Sequence, residues 1–215
     1  MKRVIAIGVL LYGTTLIADE EQSYNVGFKA STLGVGFDIS KPISEKMSAR
    51  FNLNGGDFNY DETFDENDYD MDMELLTAGI LLDYYPYLNN FRLTTGLYYN
   101  ENQVSGVASS SSTISRVVSS YSNVAKVNID TESNEIAPYI GLGWGNNSHS
   151  KGWGVTFDLG LMYYDAEVTL SPSVQALSNV AVIDSALQEE EDSINDDLDS
   201  FPFYPVVSLG LNYSF

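Results

Sequence analysis

The chain has 215 residues, 10 basic against 30 acidic side chains, a formal charge of −20 and no cysteine. Its length suits a single domain. Its acidity excludes nucleic acid as a partner, because phosphate binding needs basic patches. The missing thiols exclude disulfides, thiolate metal sites and thiol nucleophiles together.

Lys2 and Arg3 make a basic start, Val4 to Leu11 form an apolar run, and Thr14, Thr15 and Ala18 lead into Asp19-Glu20-Glu21. This order predicts a signal peptide over residues 1–18, cleaved after Ala18 and leaving 19–215 as the mature domain. Its removal takes away Lys2 and Arg3 and no acid, moving the net charge from −20 to −22. No later segment has the roughly eighteen or more consecutive apolar residues of a membrane helix.

From residue 24 the chain alternates with period two, the mark of a strand with one apolar face. Tyr24, Val26, Phe28 and Ala30 hold one phase; Leu33, Val35, Phe37 and Ile39 hold the other. The switch at Ser31-Thr32 predicts a tight turn and hence a hairpin. Met47, Ala49, Phe51 and Leu53 follow, and Gly55-Gly56 moves Phe58 and Tyr60 to the opposite parity. Residues 61–72 read as an acidic loop. Leu76 to Tyr84 and Phe91 to Tyr99 alternate again about a short turn, and a serine-rich stretch, residues 105–132, reads as a long loop.

Ile136 to Trp144 and Trp153 to Tyr163 flank another short turn. Residues 172–200 read as the largest loop, acidic and with a hint of helical spacing from Leu177 to Ile194. The last strand is Val207, Leu209, Leu211, Tyr213 and Phe215 against Ser208, Gly210, Asn212 and Ser214. Two aromatic clusters about ten residues apart, Phe201, Phe203 and Tyr204 against Tyr213 and Phe215, match a strand with rings at both faces of a bilayer.

Short connections alternate with long ones, the pattern of periplasmic turns against extracellular loops. The expectation is an all-β protein, an eight-stranded antiparallel transmembrane β-barrel in the outer membrane of a Gram-negative cell. Tyr213-Ser214-Phe215 resembles the C-terminal signal read by the barrel-assembly machinery.

The segments S-T-L-G-V-G-F-D (31–38), F-R-L-T-T-G-L-Y-Y-N (91–100), A-P-Y-I-G-L-G-W-G-N (137–146), G-W-G-V-T-F-D-L-G (152–160) and Y-P-V-V-S-L-G-L-N-Y-S-F (204–215) carry a family resemblance. They resemble a family of small proteobacterial outer-membrane proteins similar in architecture to the eight-stranded OmpA/OmpX type. The resemblance covers the strands and not the loops. It implies fold and placement, with no catalytic residue to carry over.

Out of phase with the lipid face stand three bases and three acids: Lys29, Arg50 and Arg92, with Asp38, Asp83 and Asp158. An eight-stranded barrel is only just wide enough inside for side chains. The six are therefore predicted to form a paired charge network that plugs the lumen, with Tyr98, Tyr139, Met162 and Tyr164 adding bulk and inward glycines making room. Tyr84, Tyr99, Trp144, Trp153, Tyr163, Phe203, Tyr213 and Phe215 are predicted as membrane-interface rings. Asp68, Asp70 and Asp72 have the one-three-five spacing of a calcium loop. Met73 and Gly79 occupy the positions where an EF-hand needs Gly and Glu, so a solvated acidic segment that engages divalent cations loosely is favoured. No other cofactor is expected.

The lone His149 lies in S-H-S within a short turn, without a G-x-S-x-G nucleophile elbow, and reads as a solvated residue rather than a general base. The residues thus predict a non-enzymatic structural or interaction module, monomeric, in contact with outer-membrane lipid and lipopolysaccharide. The alternatives are a small porin, opposed by the narrow lumen, and a lipid-modifying enzyme, opposed by the absent catalytic set.

Overall fold

The computed structural model describes residues 24–64, 67–109, 126–145, 151–172 and 181–215. The predicted signal peptide and His149 lie outside them. The described residues form eleven strands and one helix: β1 (Asn25–Ser31), β2 (Gly34–Ser44), β3 (Met47–Phe64), β4 (Asn67–Tyr84), β5 (Phe91–Asn100), β6 (Gln103–Ser109), β7 (Lys126–Ser133), β8 (Ile136–Trp144), β9 (Gly152–Tyr163), β10 (Ala166–Pro172), α1 (Ala181–Ser200) and β11 (Phe203–Ser214). No described helix is long and apolar enough to cross a membrane.

The antiparallel pairings run β1–β2–β3–β4–β5–β8–β9–β11 and return to β1. Each of these eight strands therefore has a neighbour on both sides, and no edge is left in this part of the sheet. The phase switch at Ser31-Thr32 is the turn of the β1–β2 hairpin, with Ser31 opposite Gly34. Gly34 takes φ +96° there, a left-handed backbone that a side chain would strain. Leu33 departs from its expected outward phase. It belongs to the turn rather than to β2, and it is 1% exposed, tucked into the interior cluster.

The remaining strands correct the loop assignments. β3 and β4 pair without interruption from Met47↔Tyr84 to Phe64↔Asn67, so most of residues 61–72 is strand, not loop. Above the ring, β4 pairs with β6, β6 with β7, and β7 with β10. The stretch 105–132 thus contains two strand segments, and residues 166–172 extend β9. The helix hinted at in residues 172–200 is α1, which packs on β10.

β6, β7 and β10 continue β5, β8 and β9 after short breaks, and asparagines supply the backbone groups lost at each break. Asn102 accepts from the Leu76 amide at 2.9 Å. Asn100 donates to Ser133 Oγ and the Asn134 carbonyl. Asn134 accepts from the Asp165 amide at 2.7 Å and donates to the Ile136 carbonyl. A side-chain amide carries both a donor and an acceptor, so it can stand in for a missing peptide group.

The two parts of the sheet have opposite polarity. In the ring the outer residues are apolar, among them Phe28, Ile80, Ile140, Leu159 and Leu209, all exposed. Many of the inner ones are polar or small, among them Asn52, Asn54, Thr77, Arg92, Asp158 and Ser208, all buried. Above the breaks the pleat continues but the chemistry reverses. Leu75, Val127 and Val168 are buried on the inner side, while Asp72, Glu74, Asp130 and Glu167 are exposed on the outer side. The parity change at Gly55-Gly56 is this reversal, since β3 and β4 keep their register through it.

Candidate functional site

The charge circuit of the ring interior is built from out-of-phase residues on four strands. Arg50 (β3) reaches Asp83 (β4) at 2.9 Å and Asp158 (β9) at 3.4 Å. Arg92 (β5) reaches Asp158 at 2.6 Å and Asp83 at 3.6 Å. The four side chains form a closed circuit of alternating sign. Each is nearly or wholly withdrawn from solvent, Arg92 and Asp83 completely. β3 and β9 are four strands apart in either direction round the ring, so the Arg50–Asp158 pair spans the interior from wall to wall.

Neutral partners complete the circuit. Thr94 Oγ1 donates to Asp83 at 2.6 Å, Ser208 Oγ donates to Asp158 at 3.2 Å, and Arg92 Nη1 donates to the Gly145 carbonyl at 2.5 Å. Buried charges are tolerable when paired and hydrogen-bonded in this way. Gly143 on β8 lies between Arg92 and Asp158. A Cβ there would sit 2.5 Å from Arg92 Nε and 2.7 Å from Asp158 Oδ1, so glycine is what lets the pair meet. Lys29 and Asp38 form a separate pair at 3.3 Å. The six ionisable residues named from their phase thus fall into one circuit of four and one pair.

An apolar layer lies beside the charges. Leu33, Leu81, Tyr98, Ala137, Tyr139, Met162 and Val206 form one buried cluster, with Tyr164 and Tyr204 packed against it. Tyr98 and Tyr139 meet edge to face at 5.4 Å between ring centres, a favoured geometry for aromatic pairs. Gly79 makes room for the Tyr98 ring, and Gly141 and Gly160 make room for Tyr139. Phase alone pointed to charges, tyrosines and glycines. The neutral polar residues Asn52, Asn54, Thr77 and Thr94 obey the same phase, and that signal would have found them too. Asn54 donates to Asn52 at 2.7 Å and to Thr77 at 2.9 Å.

The eight predicted interface rings all point outward and are exposed, Trp153 by 80%. Register sorts them into two tiers. Tyr84, Trp144, Trp153, Tyr213 and Phe215 lie by the short-turn end, where Trp153 packs on Tyr213 and Tyr213 on Phe215. Tyr99, Tyr163 and Phe203 lie by the other end, where Tyr163 packs on Phe203. Asp68, Asp70 and Asp72 stand on β4, a paired strand rather than a loop. Asp72 accepts a close hydrogen bond from Asn59. Among the described residues no group of three or more His, Cys, Asp or Glu is placed to hold a metal ion.

No protein-family model and no curated protein matches the sequence. Solved structures do match the fold. Acinetobacter baumannii CarO2 superposes with a TM-score of 0.64 at 22% identity, over 91% of this chain and 100% of that one. Acinetobacter baumannii CarO gives 0.59 at 18% identity, over 90% and 97%. A looser match, 0.43 at 12% identity over 91% and 100%, is to a major outer membrane protein from Thermus thermophilus. What this chain shares with the two Acinetobacter proteins is an all-β fold.

Proposed function

We propose that the chain is an outer-membrane protein whose eight-stranded ring is a transmembrane β-barrel with a plugged lumen, holding an acidic β-sheet outside the cell as an interaction surface. The observation that carries this reading is the inverted polarity of the ring, with apolar residues outside and a closed charge circuit inside. In water such a wall would leave a continuous apolar belt exposed; in lipid it is the stable arrangement. The two aromatic tiers agree. Phe203 and Tyr213 are ten residues apart on β11, which at about 3.4 Å per residue and a tilt of about 40° makes a band roughly 26 Å tall. The similarity of fold to CarO2 and CarO supports the architecture.

The wall-to-wall Arg50–Asp158 pair and the Tyr98–Tyr139–Met162 layer support a closed lumen over a channel. Nothing at the site resembles a nucleophile with its base, so the reading is non-enzymatic. Conductance across a planar lipid bilayer tests it. Refolded protein is expected to give no large, stable single-channel steps, and Arg92→Ala is expected to leak. Large stable steps from the unaltered protein would favour the porin reading instead.

A further inference from the structure

A void of about 10 Å³ lies against the charge circuit, bordered by Arg50, Arg92, Asp38, Asn25, Gly27 and Thr156 among others. Among the polar atoms on the residues that border it, Nε of Arg50, Nε of Arg92, Nδ2 of Asn25 and Oδ1 of Asp38 have no hydrogen-bond partner among the described residues. Arg50, Arg92 and Asn25 are each at most 3% exposed. Arg92 Nε is 3.6 Å from Asp83, within reach as an ion pair but too long for a hydrogen bond. Buried donors and acceptors left unmet are costly and rare in folded proteins. Here most of those in the ring interior belong to residues that line one small space.

We propose that this void is a water-binding site that joins the Lys29–Asp38 pair to the arginine–aspartate circuit. Three arguments select water. A volume of about 10 Å³ is the room that one water needs, given two to four polar partners. The four atoms named are three N–H donors and one carboxylate oxygen. A ligand that accepts from the arginines and Asn25 and donates to Asp38 must therefore be amphoteric, which a bare ion is not. The charge count settles the sign. Lys29, Arg50 and Arg92 balance Asp38, Asp83 and Asp158, so an added ion would leave an uncompensated charge in a low-dielectric interior. A neutral molecule leaves the balance intact. With the water in place the six charges form one continuous network instead of two.

The site concerns how the charged layer is hydrated, not whether the lumen conducts, so its test is separate from the bilayer experiment. A high-resolution crystal structure of the refolded protein, repeated after soaking in bromide, reads it directly. The expected result is a water peak within hydrogen-bond distance of Asp38 Oδ1 and at least one arginine Nε, with no anomalous bromide signal. Asp38→Asn removes one negative charge and replaces the acceptor with an amide, and is expected to admit bromide at the same place. An empty void, or bromide in the unaltered protein, would overturn the proposal. Exclusion of bromide from Asp38→Asn would remove the charge-balance argument and with it the choice of water.

Discussion

The ring and the sheet above it are continuous strands of one chain, yet they follow opposite rules. In β9 the outward residues Val155, Phe157, Leu159 and Leu161 are apolar and exposed. A few residues later β10 turns Glu167 and Thr169 outward and buries Val168. The pleat does not change; the chemistry of the alternate positions does. A strand records which solvent bathes each of its faces, and on the proposed reading the reversal at residues 101–102, 134–135 and 164–165 is the boundary between two solvents. Below it polar groups must be satisfied inside the ring. Above it the ordinary logic of a half-buried sheet returns.

The ways of holding each part together differ accordingly. The ring has no edge and closes on charges. The upper sheet ends at β10, and there α1 supplies what a neighbouring strand would. Asn195 accepts from the Val168 amide at 2.8 Å and donates to the Val168 carbonyl at 3.0 Å. Glu191 accepts from the Leu170 amide at 2.8 Å. Among the described side chains of the helix, Leu187 is buried. Covering an edge in this way keeps it from pairing with other chains.

The largest effect is expected from breaking the circuit. Asp158→Ala leaves two buried arginines sharing Asp83 alone, and removal of one partner from a buried ion pair costs about 3–5 kcal/mol. A urea titration of protein refolded into phospholipid vesicles measures it, and a loss below about 1 kcal/mol would mean that the charges are solvated rather than buried. Next come substitutions that test the two solvents against each other. Leu159→Arg and Leu209→Arg are expected to cost about 2–4 kcal/mol each on a lipid face. Thr169→Arg, outward on β10, is expected to stay within about 0.5 kcal/mol. Equal costs would erase the boundary. The last effect is local. Asn195→Ala leaves two backbone groups of the edge strand unmet, a cost of about 1–3 kcal/mol. It is expected to reduce helical circular dichroism while the ring unfolds at its usual urea concentration.

How much was legible followed the same boundary. Ring strands were legible because an apolar outer face against an inner face rich in polar and small residues forces strict alternation, as in Val207 to Phe215. The ring interior was legible where residues carried charge, as at Arg50 and Asp158, and overlooked where they were neutral, as at Asn54 and Thr77. The upper strands were not legible. Asp68, Asp70 and Asp72, or Ser105 and Ser109, have low strand propensity, and their pairing is imposed by neighbours already in register. Leu33 was misassigned because period-two counting ran through a turn, where the pleat no longer fixes the face.

The boundary itself is open to direct measurement, because the chain has no cysteine of its own. Single cysteines at Leu159 and Thr169, in protein refolded into liposomes, can be exposed to a membrane-impermeant thiol reagent. Thr169→Cys is expected to label rapidly and Leu159→Cys to remain unlabelled until detergent dissolves the bilayer. Rapid labelling at both positions would contradict the account and place the apolar wall of the ring in water.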